Sequence, residues 1–122
     1  MNPDQIKATG IRAYGYIGAL PEENILGQWF EVDLTLWMDL SVAGKSDSLT
    51  DTHNYADIIQ QTQRIIQTET FKLIERLADA IADQALANDS RLQKVAVTVT
   101  KLTAPVPNFD GQVAVMIERT RS

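Results

Sequence analysis

At 122 residues, with 44% hydrophobic and 22% charged side chains, the chain is expected to form one domain spanning 1–122, with a modest core and no bias toward disorder. Sixteen acidic residues against eleven basic ones give a net charge of −5, which leaves no clustered basic face for nucleic acid. The lack of cysteine excludes disulfides, thiolate nucleophiles and cysteine metal sites, and a single histidine, His53, cannot build a multi-histidine zinc site.

Residues 5–15 read as a strand that pairs with the next one in a hairpin. The stretch Tyr14-Gly-Tyr-Ile-Gly-Ala-Leu-Pro-Glu-Glu-Asn24 follows. Gly15 and Gly18 permit either positive φ or close backbone approach, and Pro21 sets a turn that places Glu22, Glu23 and Asn24 on a loop. That loop is either a solvated turn or a means of presenting acids to a pocket. From Gln28 to Leu40 the sequence alternates. Phe30, Val32, Leu34, Leu36, Met38 and Leu40 face one way, against Trp29, Glu31, Asp33, Thr35, Trp37 and Asp39, which predicts a long strand with one buried face. Val42–Thr52 reads as a turn region.

The period then changes. Ile58, Ile59, Thr62, Ile65 and Ile66 predict a helix over 54–68, capped by Asp51, Thr52 or Asn54. A second helix is expected from about Phe71 to Ala87, with Leu73, Leu77, Ile81, Ala82 and Ala85 on one stripe. Val95, Val97 and Val99 alternate into Lys101, and Val113, Val115 and Ile117 form a last strand. The result is an α+β chain in the order β-β-α-α-β-β, an antiparallel four-stranded sheet with two helices on one face. The outer strands leave edges that need covering. One solution is to join the sheets of several subunits.

Three residues outside the opening loop could carry chemistry. Lys101 ends a strand whose alternate residues are valines, so its side chain starts on the apolar face. A lysine withdrawn from water suits proton transfer, whereas the plainer reading is a strand-end lysine reaching back to solvent. Glu75 falls in the first turn of the second helix, where a carboxylate either complements the helix dipole or receives a planar donor edge. Tyr55 opens the first helix, and either packs locally or offers a flat ring and a hydroxyl to a ligand.

Four segments occur in order: Tyr14–Asn24; Asp51-Thr-His-Asn-Tyr-Ala-Asp57; Phe71-Lys-Leu-Ile-Glu-Arg-Leu-Ala78; and Val97-Thr-Val-Thr-Lys101 with Ala104-Pro-Val-Pro107. Glu118-Arg119 follows them near the end. Together they make the chain, from about Ile6 to Arg119, resemble the dihydroneopterin aldolases of the folate pathway. The resemblance implies the tunnelling fold, with four subunits closing into a barrel ring and two rings stacking into an octamer. It also implies a pterin substrate, 7,8-dihydroneopterin, cleaved to 6-hydroxymethyl-7,8-dihydropterin and glycolaldehyde. By the same resemblance Lys101 is the general acid/base, and Glu75 and the backbone N–H of Ile74 hold the pterin. Tyr55, supplied by a neighbouring subunit, stacks on the ring and relays a proton. Glu23 contacts the hydroxylated side chain and a water, with a one-residue ambiguity against Glu22.

No cofactor or metal is expected, because the pterin's own C=N bond can take up the electrons of the broken carbon–carbon bond, as a Schiff base or metal does in other aldolases. An epimerase of the same fold, or a ring subunit that binds pterin without catalysis, are the alternatives. Two departures stand out. Ile17 replaces a histidine found in many relatives, and the loop after Lys101 is one residue shorter than the common pattern. No apolar run approaches the ~20 residues that cross a bilayer, and the first residues lack the pattern of a signal peptide. No membrane partner and a cytoplasmic location are therefore expected.

Overall fold

The computed structural model describes residues 2–121. Strands β1 (Gln5–Gly15), β2 (Gln28–Trp37), β3 (Lys94–Lys101) and β4 (Val113–Thr120) form one antiparallel sheet in the order β1-β2-β3-β4. Helices α3 (Tyr55–Thr68) and α4 (Ile74–Asn88) bridge β2 to β3 and cover one face, α3 over β1 and α4 over β3 and β4. Three shorter helical pieces complete the order: α1 (Pro21–Leu26), α2 (Ser41–Ser46) and a 3₁₀ turn at Leu49–Asp51.

Alternation explains the sheet. Phe30, Val32, Leu34 and Leu36 on β2 and Val95, Val97 and Val99 on β3 point into the helices and are buried. At about 1.5–3 kcal/mol for each large apolar side chain removed from water, this layer is the main driving force for the fold. Ile58 and Ile66 of α3, with Leu77, Ile81 and Ala82 of α4, close it from the other side. The opposite face is mixed: it carries the pairs Arg12–Glu31 and Lys94–Glu118 beside Tyr14, Trp29, Trp37 and Met116, with the Lys94 ammonium 4.6 Å from the centre of the Trp37 ring. Among the described residues β1 and β4 each have one side without a strand neighbour. No helix among them is long and apolar enough to cross a membrane.

Several boundaries differ from the sequence expectations. The loop at Pro21–Asn24 is instead helical, with Pro21 at its first position, where the missing N–H costs nothing. The turn region Val42–Thr52 contains α2 and the 3₁₀ turn. Strand β2 ends at Trp37, three residues short of Leu40. Helix α4 starts at Ile74, so Phe71 lies outside it, and Leu73 is an extended, half-exposed cap residue rather than a member of the buried stripe. Of the three candidate caps of α3, Asn54 serves, its Oδ1 accepting the Ala56 N–H at 3.2 Å.

Gly15 and Gly18 act by close approach; neither has positive φ. A Cβ on Gly15 would stand 2.3 Å from the carbonyl oxygen of Ile66, which fixes the C-terminal end of α3 against the end of β1. A Cβ on Gly18 would stand 2.4 Å from the carboxyl carbon of Glu23.

Candidate active site

The β2–β3 register pairs Phe30 with Lys101, so the last residue of β3 lies beside the start of β2, just after α1. This brings together residues 78 apart in sequence. Lys101 Nζ donates to Glu23 Oε2 at 2.7 Å, with the Lys101 side chain 16% exposed and that of Glu23 7% exposed. Glu22 is exposed. The structure therefore distinguishes the two acids: Glu23 turns inward to Lys101 and Glu22 does not.

Glu23 sits at the third position of α1 and divides its two oxygens. Oε1 accepts the backbone N–H of Leu20 at 3.2 Å, which stabilises the entrance to the helix. Oε2 accepts both Lys101 Nζ and Gln28 Nε2, each at 2.7 Å. Burial acts to raise the pKa of this carboxyl. The hydrogen bonds from Lys101, Leu20 and Gln28, with the charge of the ammonium, outweigh burial and hold it below the usual glutamate value. Asn24 anchors the same turn by donating to the carbonyls of Tyr16 and Gly18 at 3.1 and 3.0 Å. The N–H of Gly18 donates to the carbonyl of Phe71 at 3.0 Å, tying this loop to the segment before α4.

Gln28 is the residue that sequence reasoning missed. The alternation reads it only as the start of a strand, yet its amide nitrogen holds Glu23 while its buried Oε1 has no hydrogen-bond partner among the described residues. An amide five residues after an acid, across Gly27 at a helix-to-strand step, is the signal that could have drawn attention to it.

The ion pair separates two clefts. One, of about 360 Å³, is lined by Lys101, Ile74 and Glu75 together with Leu20, Ala104 and Val106. The other, of about 610 Å³, is lined by Glu23 and Gln28 with Arg12, Trp29 and Thr103. The smaller cleft combines apolar walls with a lysine and a carboxylate in the first turn of α4, the make-up of a small-molecule site. Glu75 is exposed there, whereas Ile74 is buried with its N–H in the first helical turn, where no intrahelical acceptor is available.

Tyr55 is not part of this grouping within one chain. It is the first residue of α3, 55% exposed, and lines a different hollow with Ile6 and Leu40. The other end of α3, at Ile66, abuts Gly15 near Gln28. Eleven residues at 1.5 Å each place Tyr55 roughly 16 Å along the helix axis from that end. Ile17 is fully buried in the core.

His53, read from sequence only as insufficient for zinc, is 3% exposed, with Nδ1 3.0 Å from Asp89 Oδ2. Among the described residues no group of three or more His, Cys, Asp or Glu side chains could hold a metal ion.

Comparison with known proteins adds the family. The family model for FolB, dihydroneopterin aldolase, matches residues 6–118. A Synechocystis protein named "Probable dihydroneopterin aldolase" is 52% identical over 118 residues, covering 97% of this chain and 99% of that one. The dihydroneopterin aldolase of Bacillus subtilis is 41% identical over 119 residues, covering 98% and 99%. Among solved structures, the Escherichia coli dihydroneopterin aldolase in complex with neopterin superposes with a TM-score of 0.86 at 28% identity, covering 95% of this chain and 98% of that chain.

Proposed function

The chain belongs to the dihydroneopterin aldolase family, and on that premise we propose how its residues divide the cleavage of 7,8-dihydroneopterin into 6-hydroxymethyl-7,8-dihydropterin and glycolaldehyde. The enzyme is a carbon–carbon lyase of folate biosynthesis. The observation that carries the site assignment is Lys101, paired with Glu23, lining one cleft together with Ile74 and Glu75.

The pterin lies in that cleft. Glu75 accepts two parallel N–H donors from the amino-pyrimidinone edge, and the first-turn Ile74 N–H donates to the ring. The neopterin bound to the E. coli relative supports a pterin ligand here. Cleavage starts with removal of the proton from the C2′ hydroxyl. The C1′–C2′ bond then breaks, its electron pair passes into the ring C=N bond, and glycolaldehyde leaves. A proton delivered to C1′ converts the enamine into the hydroxymethyl product. Lys101 and Tyr55 move these protons, while Glu23, fixed by Gln28 and Leu20, orients the side chain and a water. Lys101 forms no Schiff base, because the electron sink belongs to the substrate.

The position of Tyr55 supports a site shared between subunits. Being far from Lys101 in its own chain, it serves the cleft of a neighbour in a tetrameric ring, two rings forming an octamer. The two strand edges are the surfaces through which such rings close.

The test is product analysis with 7,8-dihydroneopterin. Stoichiometric glycolaldehyde and hydroxymethyldihydropterin are expected; an epimerised pterin without glycolaldehyde would overturn the aldolase reading. Tyr55→Phe and Lys101→Ala proteins, each strongly impaired alone, should regain part of the activity when mixed and reassembled. No recovery in mixed oligomers verified by mass spectrometry would count against the shared site.

A further inference from the structure

The segment that delivers Tyr55 is held by a cluster on the opposite side of the molecule from Lys101. Arg91, in the turn between α4 and β3, donates through Nη1 to the carbonyl of Thr50 at 2.8 Å and through Nη2 to that of Thr52 at 2.9 Å. The same guanidinium grips Asp89, Nε to Oδ1 at 3.0 Å and Nη2 to Oδ2 at 2.9 Å. Asp89 Oδ2 also meets His53 Nδ1 at 3.0 Å, with the His53 ring sunk into the protein. Arg121 fixes the turn itself, its Nη2 donating to the carbonyls of Leu86, Asp89 and Leu92.

Every residue from Thr52 to Asn54 is thus tethered: Thr52 through its carbonyl, His53 through its ring, and Asn54 through the cap it makes on Ala56. Tyr55 comes next and projects from the surface. A solvent-facing turn needs no such density of anchors simply to start a helix, for which the Asn54 cap suffices. A side chain that must meet a ligand within a fraction of an ångström does need them.

We infer that Arg91, Asp89 and His53 are positioning residues for Tyr55, setting its backbone so that its ring and hydroxyl reach the pterin. The inference rests on the reading of Tyr55 given above.

A double-mutant cycle on the assembled enzyme tests it, with Tyr55→Phe, Arg91→Ala and the combination measured for single-turnover cleavage, pterin affinity and thermal stability. Arg91→Ala alone should lower turnover by about tenfold to a hundredfold. Added to Tyr55→Phe it should lower turnover by less than about twofold, although the loss of thermal stability is the same in both backgrounds. Arg91→Lys, which keeps a donor for one carbonyl, should recover part of the turnover. An equal turnover loss in both backgrounds would show a merely structural anchor and overturn the inference while leaving the role of Tyr55 intact. Normal turnover in Tyr55→Phe would overturn the role of Tyr55 itself, and the inference with it. If Arg91→Ala does not fold, Asp89→Asn, which keeps an acceptor for Arg91, replaces it in the cycle with the same expected outcomes.

Discussion

Glu23–Lys101 at one end of the sheet and Asp89–Arg91 at the other are ion pairs of similar length, 2.7 and 2.9 Å; the first joins α1 to the end of β3, and the second lies within the α4–β3 turn, from which Arg91 also reaches the carbonyls of Thr50 and Thr52. They differ in what is left over. Arg91 directs four of the five N–H donors of a guanidinium at fixed protein acceptors. Lys101 commits one of the three donors of an ammonium, to Glu23, among the described residues, and the rest of its head group borders a cleft. A nearly saturated pair holds structure, whereas an unsaturated one beside a cavity has capacity for a substrate. Charge and distance alone do not separate these roles; the count of uncommitted donors does.

The comparison is put at greatest risk by Lys101→Ala. If the unsaturated pair performs the chemistry, single-turnover cleavage should fall by roughly 10²–10⁴-fold, with pterin affinity much less affected. A loss of affinity with normal turnover would show Lys101 to be a binding or structural group. Glu75→Ala should do the reverse, weakening pterin binding by about 2–4 kcal/mol in calorimetry while leaving the fold intact, since the residue is exposed. Unchanged affinity would remove it from the site.

Gly18→Ala sharpens the contrast without touching a charge. The added methyl would stand 2.4 Å from the Glu23 carboxyl carbon and must displace that side chain. Turnover should drop by up to about 10²-fold, with a loss of about 1–3 kcal/mol in denaturant unfolding. Normal turnover would show that the placement of Glu23 is not critical.

The smallest effect concerns acid stability. The Arg91 side chain is the main cause holding the Asp89 carboxyl well below the ordinary carboxylate range; burial opposes it, and the Arg91 N–H and His53 assist. Glu23 is also lowered. A carboxyl with a depressed folded pKa contributes stability that is complete above its unfolded value, near pH 4, and is lost as pH falls through the folded value. Urea unfolding followed from pH 7 to pH 3 should therefore show stability declining toward acid, with Asp89→Asn removing more of that slope than Glu23→Gln. Equal slopes in both variants would contradict the deeper shift at Asp89.

Much of the scaffold was legible because its period is long. Ten residues of β2 and the fourteen- and fifteen-residue helices α3 and α4 repeat their patterns often enough to be read. Helices α1 and α2, of six residues each, complete less than two turns, too few for a period to emerge, so both were expected to be turns. Leu73 continues the apolar spacing of α4 by chance of composition, but its extended backbone turns it outward. The valines place the start of the Lys101 side chain on the apolar face but leave open whether it reaches back to solvent, and they do not identify its carboxylate partner, because a contact across 78 residues depends on the β2–β3 register. His53 and Asp89, 36 residues apart, were hidden for the same reason.

The divided carboxylate of Glu23 has a bearing on how this enzyme can change. One oxygen closes the first turn of α1 and the other faces Lys101 and Gln28, so any replacement at 23 alters a folding element and the ion pair with Lys101 together. A lineage or a laboratory selection seeking new specificity meets a coupled penalty there. Gln28 carries no such double duty toward α1, and its oxygen, without a hydrogen-bond partner among the described residues, can gain a contact while the turn stays closed. Variation that adjusts the Lys101-facing end of Glu23 should therefore accumulate at 28 first, with 23 held constant.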